Sequence, residues 1–327
     1  MSDPRLDYFN EYPVEIKGPD ISCYKKVGTG PNYIVTIDSG FSGPHVMVSA
    51  IVHGNEPCGA IANDWFLKHD FRPLKGKISL GFMNIEAYEA FDTDNPNKTR
   101  WVDEDFNRLW GPGVLEDHTR KKTYEFHRAN EVKEIISSVD FLLDIHSMQT
   151  PSVPLMMAGM FKKGVEFAKK VGMEISIISD SGHKEGMRLR DYNLFSNEQS
   201  KKNALLVECG QHWETSSKKM AIKTLIKFLR SFKIMKEEFG LEYLSENLND
   251  KVNHILKVEK IVTINTNNFV FEKNWIGFEK LKKGTIVARD GNKIISAPFD
   301  ETFLIMPTKR FIKGKTAVRL ATNFKGY

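Results

Sequence analysis

Three apolar runs end on side chains that can bind a cation or move a proton. Ala50-Ile51-Val52 stops at His53, and Glu56 follows three residues later. Ile145 leads into His146, and Leu205-Leu206-Val207 leads into Glu208. Two imidazoles and a carboxylate are a ligand set for catalytic zinc, which leaves one coordination position open for water. A further carboxylate nearby can act as general base on that water. Each residue also has a plainer reading. His53 can be a turn residue, and Glu56 can be a carboxylate favoured by a helix dipole. His146 can be a hydrogen-bonded core histidine, and Glu208 can pair with a lysine. The combination, on three strand ends, points to chemistry more strongly than any one residue.

Such residues meet only if the chain brings strand ends together. "YIVTID" and "HVMVSAIV" read as short strands, the second apolar enough to be buried on both faces. "EPCGAIANDWFLKHD" has helical spacing, with Pro57 suited to a first turn. "GKISLGFMNI", "VDFLLDIH" and "NALLVECG" are further strands; "TYEFHRANEVKEIISS", "MFKKGVEFAKKVG" and "SKKMAIKTLIKFLRSF" are helices. The alternation predicts an α/β fold with a mostly parallel mixed sheet flanked by helices. Ligands bind beyond the carboxyl ends of strands in such sheets, where the three side chains would lie. After about residue 245 the texture changes to short strands between turns, as in "KIVTINTNNFVFEK", "GTIVARDG" and "TAVRLAT". We expect a catalytic domain over 1–245 and a smaller all-β domain over 246–327.

Bulk properties exclude several classes. The 327 residues suit about two domains. A net charge of +5, with basic residues interleaved with acids, predicts no nucleic-acid partner. No apolar stretch approaches the roughly 20 residues of a membrane helix, and the N-terminus lacks a signal-peptide pattern. Three scattered cysteines make no disulfide framework. The expectation is a cytoplasmic protein without a membrane partner.

Taken together, "HGNE", "DFNRLWG", "DIHS" and "LLVECG" resemble the succinylglutamate desuccinylase/aspartoacylase family, relatives of zinc carboxypeptidases. The likeness runs in order over roughly residues 30 to 230. It implies one zinc ion per chain, held by His53, Glu56 and His146. It implies that Glu208 takes a proton from the attacking water and passes it to the leaving amine. Asn107 and Arg108 match the pair that holds the substrate carboxylate, for which a guanidinium fork is suited. Arg100, seven residues before Asn107, matches the arginine that polarises the scissile carbonyl and stabilises the oxyanion. On a surface loop these arginines could instead pair with Asp103, Glu104 and Asp105. Asp144 lies two before His146, on the same side of a strand, and can hold a ligand histidine or be a structural acid.

In "GMRLRDYNLF", Arg188, Arg190 and Tyr192 are candidates for the side-chain or acyl pocket, with surface placement as the alternative. This segment departs from aspartoacylase, whose specificity arginine lies closer to the catalytic glutamate. The tail resembles a biotinyl/lipoyl-type β fold without the lysine hairpin that carriers modify. It would cap the mouth of the site or make subunit contacts in a homo-oligomer. The leading expectation is a zinc-dependent hydrolase that removes the acyl group from a small N-acyl amino acid. The alternatives are a metallocarboxypeptidase acting on short peptides, a catalytically silent binding protein, and a cysteine–histidine hydrolase using Cys209 and His212.

Overall fold

The computed structural model describes residues 12–244 and 253–325. Aliphatic and β-branched runs form β1 (Ile34–Asp38), β2 (His45–Ala50), β3 (Lys77–Phe82), β4 (Phe141–Met148), β5 (Leu155–Met157), β6 (Ser176–Ser179) and β7 (Asn203–Gln211). Between and after them lie α1 (Pro57–Lys68), α2 (Ile85–Glu89), α3 (Tyr124–Ser138), α4 (Lys162–Val171), α5 (Thr215–Arg230) and α6 (Leu241–Leu244). Local chemistry sets their ends. Pro57 opens α1, where its missing N–H costs no helical bond. The Thr123 hydroxyl accepts from the Phe126 N–H at 3.0 Å and starts α3. Gly172, left-handed at φ 71°, ends α4.

The central strands β3-β2-β4-β7 are parallel neighbours, with β1 antiparallel on β3 and β5 antiparallel on β7. Both faces of this sheet are covered. Val46 and Val48 of β2 share a core with Phe66 of α1 and Leu225 of α5. Met47, between them, packs on the other face with Phe126 and Val132 of α3. Burying one such side chain contributes about 1.5–3 kcal/mol. This two-faced burial is why β2 reads as a near-continuous apolar run.

The last third adds β8 (Ile255–Thr263), β9 (Phe269–Phe271), β10 (Lys280–Leu281), β11 (Ile286–Asp290), β12 (Lys293–Ser296), β13 (Thr302–Ile305) and β14 (Thr316–Asn323). β8 pairs in parallel with β6, and β14, β13 and β10 follow antiparallel. One 11-stranded sheet therefore runs from β1 to β10, and β12-β11-β9 form a small antiparallel sheet beside it. The fold is α/β, a large mixed sheet with parallel central strands and flanking helices, joined to a β-rich C-terminal part. The expected boundary between residues 245 and 246 lies outside the described residues. Among the described residues no helix is long and apolar enough to cross a membrane.

Candidate active site

The neighbouring order β2-β4-β7 brings the three strand ends of the sequence together. His53, Glu56 and His146 are buried, and one donor atom from each lies within 4.8 Å of the others. His53 Nδ1 is 2.7 Å from Glu56 Oε1, and His146 Nδ1 is 3.0 Å from Glu56 Oε2. The Ser147 N–H also donates to Glu56 Oε2 at 3.0 Å. Glu56 occupies the N-cap position of α1, yet its side chain caps nothing there. Its carboxylate is turned to the two imidazoles instead.

The turn that delivers these residues is built from unusual backbone. Ile51, fully buried, has φ 51°, a left-handed conformation that costs a β-branched residue roughly 1–3 kcal/mol. A Cβ at Gly54 would stand 2.3 Å from the Ala87 carbonyl carbon and 2.5 Å from Thr99 O. The glycine is needed for close approach to α2 and the Thr99 loop.

Each histidine is also held from its far side. His146 Nε2 lies 2.9 Å from Asp144 Oδ2, and Asp144 accepts from the Ser49 hydroxyl at 2.6 Å. His53 Nε2 lies 3.0 Å from Asp105 Oδ1 and 3.0 Å from Arg100 Nη2. Burial opposes charge throughout the cluster, but its members outweigh it. His53 and His146 hold the Glu56 carboxyl well below the usual range, and Arg108 and His53 do the same for Asp105. Asp144 and Glu56 raise His146 well above an ordinary histidine.

Glu208 stands apart from this network. It follows Val207 at the end of β7's apolar run, opposite His146 in the β4–β7 register. Its Oε2 is buried with no hydrogen-bond partner. Burial pushes its carboxyl up to about 8, and the charge of Glu56 adds to the shift. A buried carboxyl with a free oxygen and a pKa near neutrality is suited to taking and returning a proton.

Arg100, Asn107 and Arg108 reach the same place from an irregular loop. Arg100 Nη1 donates to Glu56 Oε1 at 2.9 Å. Asp105 caps the short 3-10 turn that carries the other two, accepting from the Asn107 N–H at 2.9 Å. Asn107 Oδ1 accepts from Leu189 N–H at 2.7 Å, which ties this loop to the 187–191 segment. Arg108 donates to Asn107 O at 2.8 Å and Glu185 Oε2 at 3.4 Å. All three, with the histidines, Glu56 and Glu208, line one cavity of about 700 Å³. Its opposite wall comes from the C-terminal part, including Trp275, Ile276 and Arg319.

The expected pocket trio divides. Arg188 lines the cavity but is buried and fully engaged, by Asp180 at 2.8 and 3.3 Å and by Asp191 at 2.6 Å. Arg190 and Tyr192 are not brought to the cavity. Arg190 donates to Asp191, Ala158 O and Ala204 O beneath it, and Tyr192 packs edge-on to Trp110 at 5.0 Å. Arg190 lies on a 3-10 turn and Tyr192 is the extended residue that joins it to the next, so the strand alternation that might aim a side chain is lost. Neither the surface reading nor the pocket reading describes Arg190.

Two residues of the site had no place in the leading reading of the sequence. His212 Nδ1 lies 2.8 Å from the Ser147 hydroxyl, and burial lowers the imidazole to about 3, so it is neutral. Cys209, its partner in the cysteine–histidine reading, is a buried thiol pushed well above its usual value by burial, which disfavours a thiolate nucleophile. Arg319 left a signal in the sequence, as a charged residue inside the apolar run of β14.

The sheet and its helices are zinc-carboxypeptidase-like, and the site is a hydrolase-type constellation in that frame. Residues 42–232 match the family model described as the succinylglutamate desuccinylase/aspartoacylase catalytic domain. A succinylglutamate desuccinylase from Pseudoalteromonas atlantica is 22% identical over 298 residues, 84% of this chain and 79% of that protein. The crystal structure of succinylglutamate desuccinylase from Vibrio cholerae superposes with a TM-score of 0.67 at 14% identity, covering 90% of this chain and 86% of the other. The product-bound structure of an ectoine utilization protein from Ruegeria pomeroyi gives 0.60 at 18%, covering 89% and 88%. The chain belongs to the succinylglutamate desuccinylase/aspartoacylase family, a family of deacylases.

Proposed function

We propose that the chain is a zinc-dependent hydrolase that cleaves the amide bond of a small N-acyl amino acid. The observation that carries this reading is the juxtaposition of the His53–Glu56–His146 donor set with Glu208, a buried carboxyl whose Oε2 has no partner, in one cavity. The donor set fits a zinc ion. The positive charge that Asp144 and Glu56 favour on His146 marks a cluster built for a cation, which a zinc ion would supply with the imidazoles neutral. His53, Glu56 and His146 would hold the ion, one per chain. A bound zinc ion supplies Lewis acidity, polarising a carbonyl and acidifying water.

The chain's own residues do the rest. Glu208 removes a proton from the attacking water and delivers it to the leaving nitrogen, so that the amine departs neutral. Arg100 supports the charge that develops on the former carbonyl oxygen. It already stands against Glu56 and His53, so it needs little reorganisation. Asn107 and Arg108 hold the α-carboxylate of the substrate, with the Asp105 cap and the Leu189 bond fixing their loop. Arg188 acts beneath them as a positioning residue.

The test is a hydrolysis screen of N-acyl amino acids and short peptides on zinc-loaded protein, with metal content measured for wild type and His146→Ala. Turnover of N-acyl amino acids, and loss of bound metal in the variant, are expected. Turnover of peptides alone would replace this reading with a metallocarboxypeptidase. Unchanged metal content in His146→Ala would remove the proposed ligand set.

A further inference from the structure

Arg190, which the large cavity does not use, lines a second and much smaller one. This space of about 40 Å³ has room for roughly one or two water-sized particles. Arg190 itself is 2% exposed. Its Nη1 donates to Asp191 Oδ1, and its Nη2 to Ala158 O and Ala204 O. Its Nε is buried and has no hydrogen-bond partner among the described residues. A Cβ at Gly159 would collide with the guanidinium, which therefore lies against that backbone with little freedom to turn. A buried donor left unpaired in this way costs stability until a ligand accepts from it.

The start of α4 bounds the same space. Phe161, its N-cap residue, supplies no capping side chain, and Phe161, Lys163 and Gly164 all line the cavity. A helix start carries partial positive charge and N–H groups without helical partners, so it favours an anion.

The surrounding charges point the same way. Asp180 and Asp191 also line the cavity, but each is already shared. Asp180 pairs with Arg188 and Arg319, and Asp191 with Arg188 and Arg190. The Lys163 ammonium sits among the carbonyls of Leu194, Asn197, Ser200 and Lys202. Burial and the charge of Arg190 hold that ammonium below its ordinary range, and Glu198, exposed at the surface, offsets them in part. Four cationic side chains thus meet two buried carboxylates. A water molecule would satisfy Arg190 Nε but leave this excess in place, whereas a small anion answers both.

We propose that the small cavity is a chloride site, held by Arg190 Nε and the start of α4. The space is too small for a phosphate or a carboxylate-bearing metabolite, which leaves a monatomic anion. The ion offsets the guanidiniums that hold the 187–191 segment, whose Leu189 N–H donates to Asn107. The site shares no residue with the proposed metal set, Glu208, Arg100, Asn107 or Arg108. It therefore stands whether or not the chain is a deacylase.

The experiment compares thermal midpoints of zinc-loaded wild type and Arg190→Lys in sodium chloride, bromide and gluconate at equal ionic strength, with crystals of the wild type grown in bromide. Chloride and bromide are expected to raise the wild-type midpoint over gluconate by about 2–4 °C, saturably. Arg190→Lys keeps the charge but lacks Nε, and should lose most of that difference at unchanged metal content. The bromide crystals should show an anomalous peak within hydrogen-bond distance of Arg190 Nε, which separates this site from an anion on the metal. Equal midpoints in chloride and gluconate would overturn the proposal, as would a chloride effect that Arg190→Lys retains in full. A water in the cavity at saturating bromide would do so as well. A peak without a saturable shift would be binding at crystal concentration only, and would overturn it too. If Arg190→Lys does not fold, the wild-type midpoints and the bromide map decide.

Discussion

The cavity has two charged regions with opposite habits. On its floor, acids and bases close on one another: Glu56 holds two histidines and an arginine, Asp144 and Asp105 hold the histidines from behind, and Glu208 keeps a buried oxygen without a partner. In the wall around Asp180, guanidiniums outnumber carboxylates. The floor gathers one carboxylate between two imidazoles, and the wall gathers guanidiniums on two shared carboxylates. The difference separates the residues of the proposed reaction from a network of buried ion pairs behind them.

Four measurements can break or sharpen that division. The largest effect is expected for Glu208→Gln, which should lower kcat by roughly 10²- to 10⁴-fold while bound metal is retained. Lost metal would make Glu208 a ligand rather than a base. Next comes Arg190→Met, in the wall but outside the cavity. Breaking a buried pair should cost about 3–5 kcal/mol in denaturant unfolding. Bound metal and kcat of the surviving folded protein should stay as in wild type; a change would tie the wall to the floor.

Asp144→Asn removes the carboxylate behind His146 and should weaken metal binding roughly 10- to 100-fold, with turnover restored by added metal. A metal titration followed by activity checks this. The smallest effect concerns pH. In metal-free protein the Glu208 carboxyl is held up to about 8, against about 4.3 in the unfolded chain. A raised carboxyl adds stability that is fully present below the unfolded value and disappears as pH rises through the folded one. Wild type should therefore lose stability relative to Glu208→Gln as pH rises from about 5 to about 8. Parallel stability curves would mean that Glu208 has another partner in solution.

The floor was legible in the sequence because its residues end apolar runs near the carboxyl ends of strands. Near-continuous apolar runs, cut off by His53, His146 and Glu208, needed only a parallel sheet to converge, and the β2-β4-β7 order supplies it. The wall was not legible in that way. Arg319 and Asp180 lie 139 residues apart and meet only because β8 adds to β6. β5 and β6, at three and four residues, are too short to show a period. Arg190 and Tyr192 were misdirected because 3-10 turns obey no two-residue alternation. Asp105 was read as a surface partner for arginines, and its contact with His53 depends on a loop closure that spacing cannot reveal.

The parallel pairing of β8 with β6 bears on how substrate enters. From β7 through β5, β6 and β8 to β14, the hydrogen-bond ladder is unbroken, and it carries the floor at one end and Arg319 at the other. The wall cannot swing away on a hinge without unzipping strands. Any widening of the cavity must come instead from loops outside the ladder, such as the one that carries Trp275 and Ile276.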